Sequence, residues 1–284
     1  MSSEQPPRPH AADHDRPVIG FLTDFGLDGA AAICRGVMLS IARDAQIVDI
    51  SHTVRKYAIA DGAYLLATAV PWLPIGVHVA VVDPGVGTER RPIAIRTGRG
   101  DVLIGPDNGL LLPVAERLGG IVEARVIENR AWMLPLTSST FHGRDIFAPV
   151  GAHLAAGSPF AEVGAVVDEA ELVRLVPPAP TVTAGFLGST VVYVDSFGNL
   201  RLAGSPAELT RAFGELEPGT MLALVLPDGR HETARWSRTF GETDAGELLV
   251  YEDSAGAIAV AVSQGHAAHR LGLEGGALLG MRRA

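Results

Sequence analysis

An apolar run, VHVAVV (Val77 to Val82), stops at Asp83 and a turn built from Pro84, Gly85 and Gly87. A run this short and this continuously apolar reads as a strand buried on both faces, the pattern of parallel sheets. In such sheets ligands sit beyond the carboxyl ends of the strands. Asp83 stands at that point, followed by Glu89, Arg90 and Arg91 on the same loop. It is placed for chemistry. As structure alone, it would only accept backbone hydrogen bonds in a strand-to-loop turn.

The flanking segments agree with that strand. VIGFLT (Val18 to Thr23) and AQIVDIS read as further strands, and helical patterns fall between them, from about Gly29 to Arg43 and over AIADGAYLLATAV. Asp28 is read as the cap of the first helix and Asp145 as the cap of IFAPVGAHLAAG. PIAIRT and DVLIG suit a hairpin through TGRGD, and ARVIEN is another strand. The expected class is α/β, a mostly parallel sheet with flanking helices in an N-terminal domain. Past VPPAPTVT the texture changes to short strand-like runs separated by Gly, Asp and Ser turns, which predicts a smaller all-β, barrel-like C-terminal domain. The expected division is a disordered tail at 1–16, the α/β domain at 17–176, a Pro-rich linker at 177–183 and the β domain at 184–284.

Composition narrows the function. Hydrophobic residues make up 47% and charged ones 19%, enough for a sizeable core, and the net charge of -9 argues against a nucleic-acid partner. No run of about 18 apolar residues exists, so no membrane span is expected. The single cysteine, Cys34, cannot form an internal disulfide and reads as a small buried hydrophobe in a reducing compartment, the cytoplasm. Gly85-Val86-Gly87 lacks the third glycine of a dinucleotide fingerprint; there is no Walker A lysine and no Gly-x-Ser-x-Gly elbow. No cofactor is expected. A metal site from Asp24 and Asp28 lacks a third ligand.

Asp24, in TDFGLDG, ends the first strand, where a carboxylate commonly accepts from both hydroxyls of a ribose. STFHGRD sets His142, Arg144 and Asp145 on one loop, and His142 is a candidate base or positioning group. Its bland alternative is a histidine bonded to a backbone carbonyl. VDSFGNL supplies Asp195, Phe197 and Asn199; asparagine can pair with an adenine edge and phenylalanine can stack on its face, although SFGN alone is an ordinary turn. His52, His78, His153, His231 and His266 are assigned no role.

TDFG (Thr23 to Gly26), VDPGVGTERR, GPDNGLL (Gly105 to Leu111), TFHGRDIFAPVGAHLAAG and VDSFGNL, in this order and spacing, resemble the S-adenosyl-L-methionine hydroxide adenosyltransferases, relatives of the enzymes that make 5'-fluoro- and 5'-chloro-deoxyadenosine. The likeness runs from about Pro17 to Arg282. It implies hydrolysis of S-adenosyl-L-methionine to adenosine and L-methionine by a homotrimer with its sites between subunits. By the same likeness Asp83, Arg90 and His142 are the catalytic group, and Asp24 holds the ribose with Tyr57 and Phe141 near the substrate. Asp195 would hold the methionine ammonium. Phe197, Asn199 and Phe240 would meet the adenine, and Ser254 would touch the methionine carboxylate. Some relatives carry Arg after that serine; this chain has Ala255.

Two rival functions share these residues. A halide-using relative would have to desolvate an anion beside the Asp83 carboxylate, which repels it. A non-catalytic binder of adenosine or S-adenosyl-L-methionine would use every binding residue equally well, and would have no need of Asp83, Arg90 and His142 together.

Overall fold

The computed structural model describes residues 16–176 and 178–284. The stretch read as a tail lies, over residues 1–15, outside the described residues, as does Pro177 of the Pro-rich stretch. The chain divides into two compact units, Met1–Leu175 and Val176–Ala284.

In the first unit, β1 (Val18–Thr23), β2 (Gln46–Ser51), β3 (Val77–Val81), β4 (Pro92–Thr97), β5 (Val102–Pro106), β6 (Ile121–Val126) and β7 (Val166–Val167) form one sheet in the order β2-β1-β3-β5-β4-β6-β7. The half made of β2, β1, β3 and β5 is parallel, and the half made of β4, β6 and β7 is antiparallel. Strands β1 and β3 are buried along their whole length, as their unbroken apolar runs require. Their side chains alternate between two cores. Phe21 and Val79 join α1 (Ala30–Ile41) and α4 (Ala148–Ala155); Leu22 and Ala80 join α2 (Ile59–Ala69) and α3 (Leu112–Arg117). Period-two alternation in a two-sided sheet produces this division.

Near the amino ends of β3 and β5 a buried charge network fixes the strands. Asp101, fully buried, accepts from His78 Nε2 at 3.0 Å and from Arg99 Nε at 2.7 Å. Burial pushes the Asp101 pKa up, but the hydrogen bonds from His78 and Arg99 outweigh it and bring the group down to about 2. Gly20 makes room for the His78 ring, since a Cβ there would stand 2.4 Å from its Nδ1. His78 therefore has a structural place.

Neither expected carboxylate cap forms. The N-cap of α1 is Gly29, already in helical geometry (φ -66°, ψ -5°) and without a side-chain bond, so Asp28 lies one residue too early. Asp145 lies inside a π-helical turn, Gly143–Phe147, that runs directly into α4. Fully buried there, Asp145 accepts from Arg144 and from the Ser138 amide instead of capping.

In the second unit β8 (Thr181–Thr183) lies within the Pro-rich stretch and pairs with β9 (Phe186–Val194). With β10 (Leu200–Leu202), β11 (Met221–Val225), β12 (His231–Trp236), β13 (Leu248–Glu252), β14 (Ile258–Val262) and β15 (Leu278–Arg283), β9 closes a seven-stranded barrel in the order β9-β10-β14-β13-β12-β11-β15 and back to β9. Leu187, Val191, Leu224 and Val260 fill it. Two short helices interrupt the strands, α5 (Pro206–Phe213) and α6 (Ala267–Leu271). Helix α5 starts at a Ser205/Glu208 capping box with Pro206 in its first turn and ends on Gly214. Among the described residues no helix is long and apolar enough to cross a membrane.

Candidate active site

The parallel register of β1 and β3 sets Thr23 opposite Val81, and the Asp24 amide donates to the Val81 carbonyl at 3.3 Å. The carboxyl ends of these two strands thus present Asp24 and Asp83 along one edge. Each loop beyond is braced. Asn108 Nδ2 donates to the Val82 carbonyl at 2.9 Å, and Arg91 bonds the buried Asp107 at 2.7 Å. The GPDNGLL stretch is therefore an anchor for the Asp83 loop.

Within that loop Arg90 folds back on Asp83. Its Nε donates to Oδ1 at 3.1 Å and its Nη2 to Oδ2; the side chains are only 8% and 4% exposed. The same Nη2 also reaches His142 Nδ1, at 3.2 Å. A guanidinium has only donors, so Nδ1 accepts and a neutral His142 carries its proton on Nε2. Burial and the Arg90 charge push the His142 pKa below the ordinary histidine value, against the opposite pull of Asp83 and Asp145. The Arg90 guanidinium also lies 5.2 Å from the centre of the Phe147 ring, and its Nη1 is buried with no hydrogen-bond partner among the described residues. Asp83, Arg90 and His142 are thus brought into one connected group.

Asp24 is buried, and its Oδ2 accepts the Tyr57 amide at 2.9 Å. Tyr57 has φ 65°, a conformation that costs a non-glycine residue about 1 kcal/mol or more. Its ring is 70% exposed. No described residue bonds Asp24 Oδ1, which leaves that oxygen free to accept. The TDFG loop is held from behind by His52, whose Nδ1 lies 2.9 Å from the Thr23 hydroxyl and whose carbonyl accepts from Gly26. It is docked onto the His142 loop through Phe25 and Phe141, edge to face at 5.7 Å.

The second unit assembles its own set. Asp195 Oδ1 accepts from the amides of Phe197 and Asn199, and Oδ2 from Asn199 Nδ2 at 2.8 Å. Asp195 and Asn199 thus build the turn, and Phe197 projects from it at 74% exposure. Phe240 packs edge to face on Tyr251 at 5.1 Å. Burial and the nearby Asp195 charge raise the Tyr251 pKa, with Arg201 opposing. Arg201 forms an ion pair with Asp253, whose Oδ1 accepts from Ala255 and Ala257 and so shapes the turn on which Ser254 is exposed. Among the described residues no three His, Cys, Asp or Glu side chains are grouped to hold a metal ion.

Residues 19–164 match the model of the SAM hydroxide adenosyltransferase N-terminal domain, and residues 189–279 that of the C-terminal domain of the same family. The chain belongs to the SAM hydroxide adenosyltransferase family. It is 47% identical over 261 residues to an (R)-S-adenosyl-L-methionine hydrolase of Salinispora tropica, covering 92% of this chain and 95% of that one. It is 30% identical to a fluorinase of Actinopolyspora mzabensis, covering 93% and 96%. A crystal structure of an uncharacterized conserved protein from Thermotoga maritima superposes with a TM-score of 0.85 at 34% identity, over 93% of this chain and all of that one.

Several residues that brace these loops in one unit or the other escape a reading of the sequence. His52 and Arg201 look unremarkable in their segments; only a histidine just past a strand end and an arginine between two buried leucines mark them. Gly87 is more informative. It has φ 78°, and a Cβ there would stand 2.4 Å from the Ser139 carbonyl oxygen, so the Asp83 loop and the His142 loop touch through it. Gly87→Ala is therefore expected to lose about 1–2 kcal/mol from the left-handed backbone alone and to pull Arg90 away from His142. Gly85→Ala, whose Cβ meets nothing nearer than 3.4 Å and has no such backbone constraint, is the control. Melting temperature and turnover of the two variants check this. Equal behaviour would contradict the contact.

Proposed function

We propose that this chain hydrolyses (R)-S-adenosyl-L-methionine to adenosine and L-methionine, with water attacking C5' of the ribose. The observation that carries the reading is Arg90 bridging Asp83 and His142. The name of the 47%-identical relative supports it and specifies the configuration at sulfur, which the residues of this chain leave open. The oxygen–carbon bond forms as the carbon–sulfur bond breaks. The bonding pair goes to sulfur, methionine leaves as a neutral thioether, and one proton is released. The leaving group needs no acid and the reaction needs no cofactor.

The incoming water must lose its proton. A neutral His142 has no spare lone pair, because Nδ1 accepts from Arg90 and Nε2 is protonated. Asp83 uses two of its roughly four acceptor positions on Arg90 and keeps the others. Asp83 is thus the acceptor and His142 Nε2–H positions the water, while Arg90 aligns both. In-line placement of water, C5' and sulfur contributes up to about 7–11 kcal/mol. Asp24 with Tyr57 and Phe141 holds the ribose end. Asp195, Phe197, Asn199, Phe240 and Ser254 hold the adenine and methionine ends in a homotrimer in a reducing compartment such as the cytoplasm. Native mass spectrometry reporting three chains per particle supports the assembly, and a monomer contradicts it.

A halide has poor support here. The Arg90 charge is already balanced by Asp83, a carboxylate only 4% exposed, beside which a desolvated anion is repelled. The deciding experiment incubates the protein separately with the R and S sulfonium epimers, with and without chloride, and separates the products. Adenosine from the R epimer in both buffers is expected. A halogenated nucleoside, or unchanged R epimer, would overturn the reading.

A further inference from the structure

A cavity of about 500 Å³ lies in the first unit, and of the candidate residues only Arg90 and His142 line it. Asp24, Tyr57, Asp83 and Phe141 are absent from its walls. The cavity therefore reaches the catalytic group by a different approach from the ribose residues. Its walls grade from outside to inside. Thr88, Arg130, Thr137 and Ser139 are exposed at the rim, His142 is half-buried, and the Arg90 side chain, Met133 and Ile146 are buried. Two loops make this shape. The Gly87 turn rests on the Ser139 carbonyl, and the buried Asp145 carboxylate holds the Ser138 amide at 2.7 Å.

We propose that this cavity is the route by which the attacking water reaches Arg90 and His142 in the hydrolysis described above. In-line displacement requires the nucleophile on the side of C5' away from sulfur. Once the substrate is seated, its own bulk covers the approach it came by, and water arrives from the other side. The cavity suits water better than an anion or a second organic ligand. Its hydroxyls supply the polar partners a water needs. Of its two cations, Arg90 is paired with Asp83, and Glu128 joins Arg130 in the cavity lining. Its volume holds on the order of ten waters at about 30 Å³ each. The route rests on the hydrolase reading, and its test separates the two.

Thr137→Cys puts a thiol on the exposed rim. The only natural cysteine, Cys34, is fully buried, and burial pushes its thiol up to about 12, so it stays unreacted at neutral pH. The folded variant is labelled through a disulfide with either a methyl or a benzyl group, and labelling is counted by mass. The methyl form is expected to turn over within about twofold of the unlabelled variant. The benzyl form should fall about tenfold or more in kcat with unchanged affinity for substrate and adenosine, and recover when the disulfide is reduced. Thr137→Trp provides a permanent plug with the same expected split. Benzyl-labelled protein that works at the methyl-labelled rate overturns the route. So does a loss of rate matched by a loss of substrate affinity, because the cavity would then belong to the substrate site. An unlabelled chain that releases no adenosine contradicts the hydrolase reading instead.

Discussion

Asp83→Asn is expected to bind S-adenosyl-L-methionine and to turn it over at least about 10²-fold more slowly, the scale of a lost proton acceptor. The amide keeps the shape but brings a donor against the Arg90 fork, and it leaves a guanidinium that is 8% exposed without its counter-charge. Some stability is lost as well, up to about 3–5 kcal/mol for a broken buried pair. Binding and melting temperature measured beside turnover separate the two effects. His142→Gln is the partner experiment. It can still donate a hydrogen bond, so it should cost less than Asp83→Asn; a larger cost would make His142 the acceptor. A pH profile follows from the Arg90–His142 contact. The His142 pKa is lowered, so His142 stays neutral as pH falls through the ordinary histidine range and gains a proton only below it. That proton would face the Arg90 donors at Nδ1 and break the 3.2 Å contact. Activity should therefore persist through the ordinary histidine pKa and fall on its acid side. The sign for stability is the same: a depressed folded-state pKa makes a contribution that is present above the unfolded value and lost as pH falls through the folded one.

Asp24→Ala should weaken adenosine and S-adenosyl-L-methionine alike by roughly 10²-fold or more, because two hydrogen bonds to a charged acceptor contribute about 1.5–3 kcal/mol each. The free Oδ1 and the Tyr57-bonded Oδ2 are the two acceptors. The control is 2',3'-dideoxyadenosine, which lacks both hydroxyls. It should bind the unsubstituted protein poorly and be nearly indifferent to the substitution. Removing the carboxylate also strands the Tyr57 amide, so a loss of about 1–3 kcal/mol in stability accompanies the change. Melting temperature reads that loss separately from binding, and equal losses of affinity for adenosine and the dideoxy compound would sink the ribose assignment.

Much of the first unit is legible in its residues because β1 and β3 are buried on both faces and no other local structure suits such short apolar runs. Asp24 and Asp83 are legible for the same reason: each ends one of those strands. The hydrogen bonds that make a group of Asp83, Arg90 and His142 are not, since they depend on two loops meeting at Gly87 and Ser139, far apart in the chain. Capping is not legible at Asp28 and Asp145 because it depends on where the backbone first turns helical: the N-cap of α1 falls one residue after Asp28, at Gly29, and the π-helical turn starting at Gly143 already encloses Asp145. Tyr57 shows the same limit, as nothing in its type signals a left-handed backbone. In the second unit the Ser205, Pro206, Glu208 signature of α5 was readable, but strand-like neighbours on both sides hide a helix of eight residues.

Hydrolysis at C5' is tested most directly by supplying the R epimer in water enriched in oxygen-18 and weighing both products. Attack of water at C5' predicts one labelled oxygen in adenosine, at the 5' position, and none in methionine. Unlabelled adenosine, label in methionine, or a 5'-substituted nucleoside without the new oxygen would contradict it.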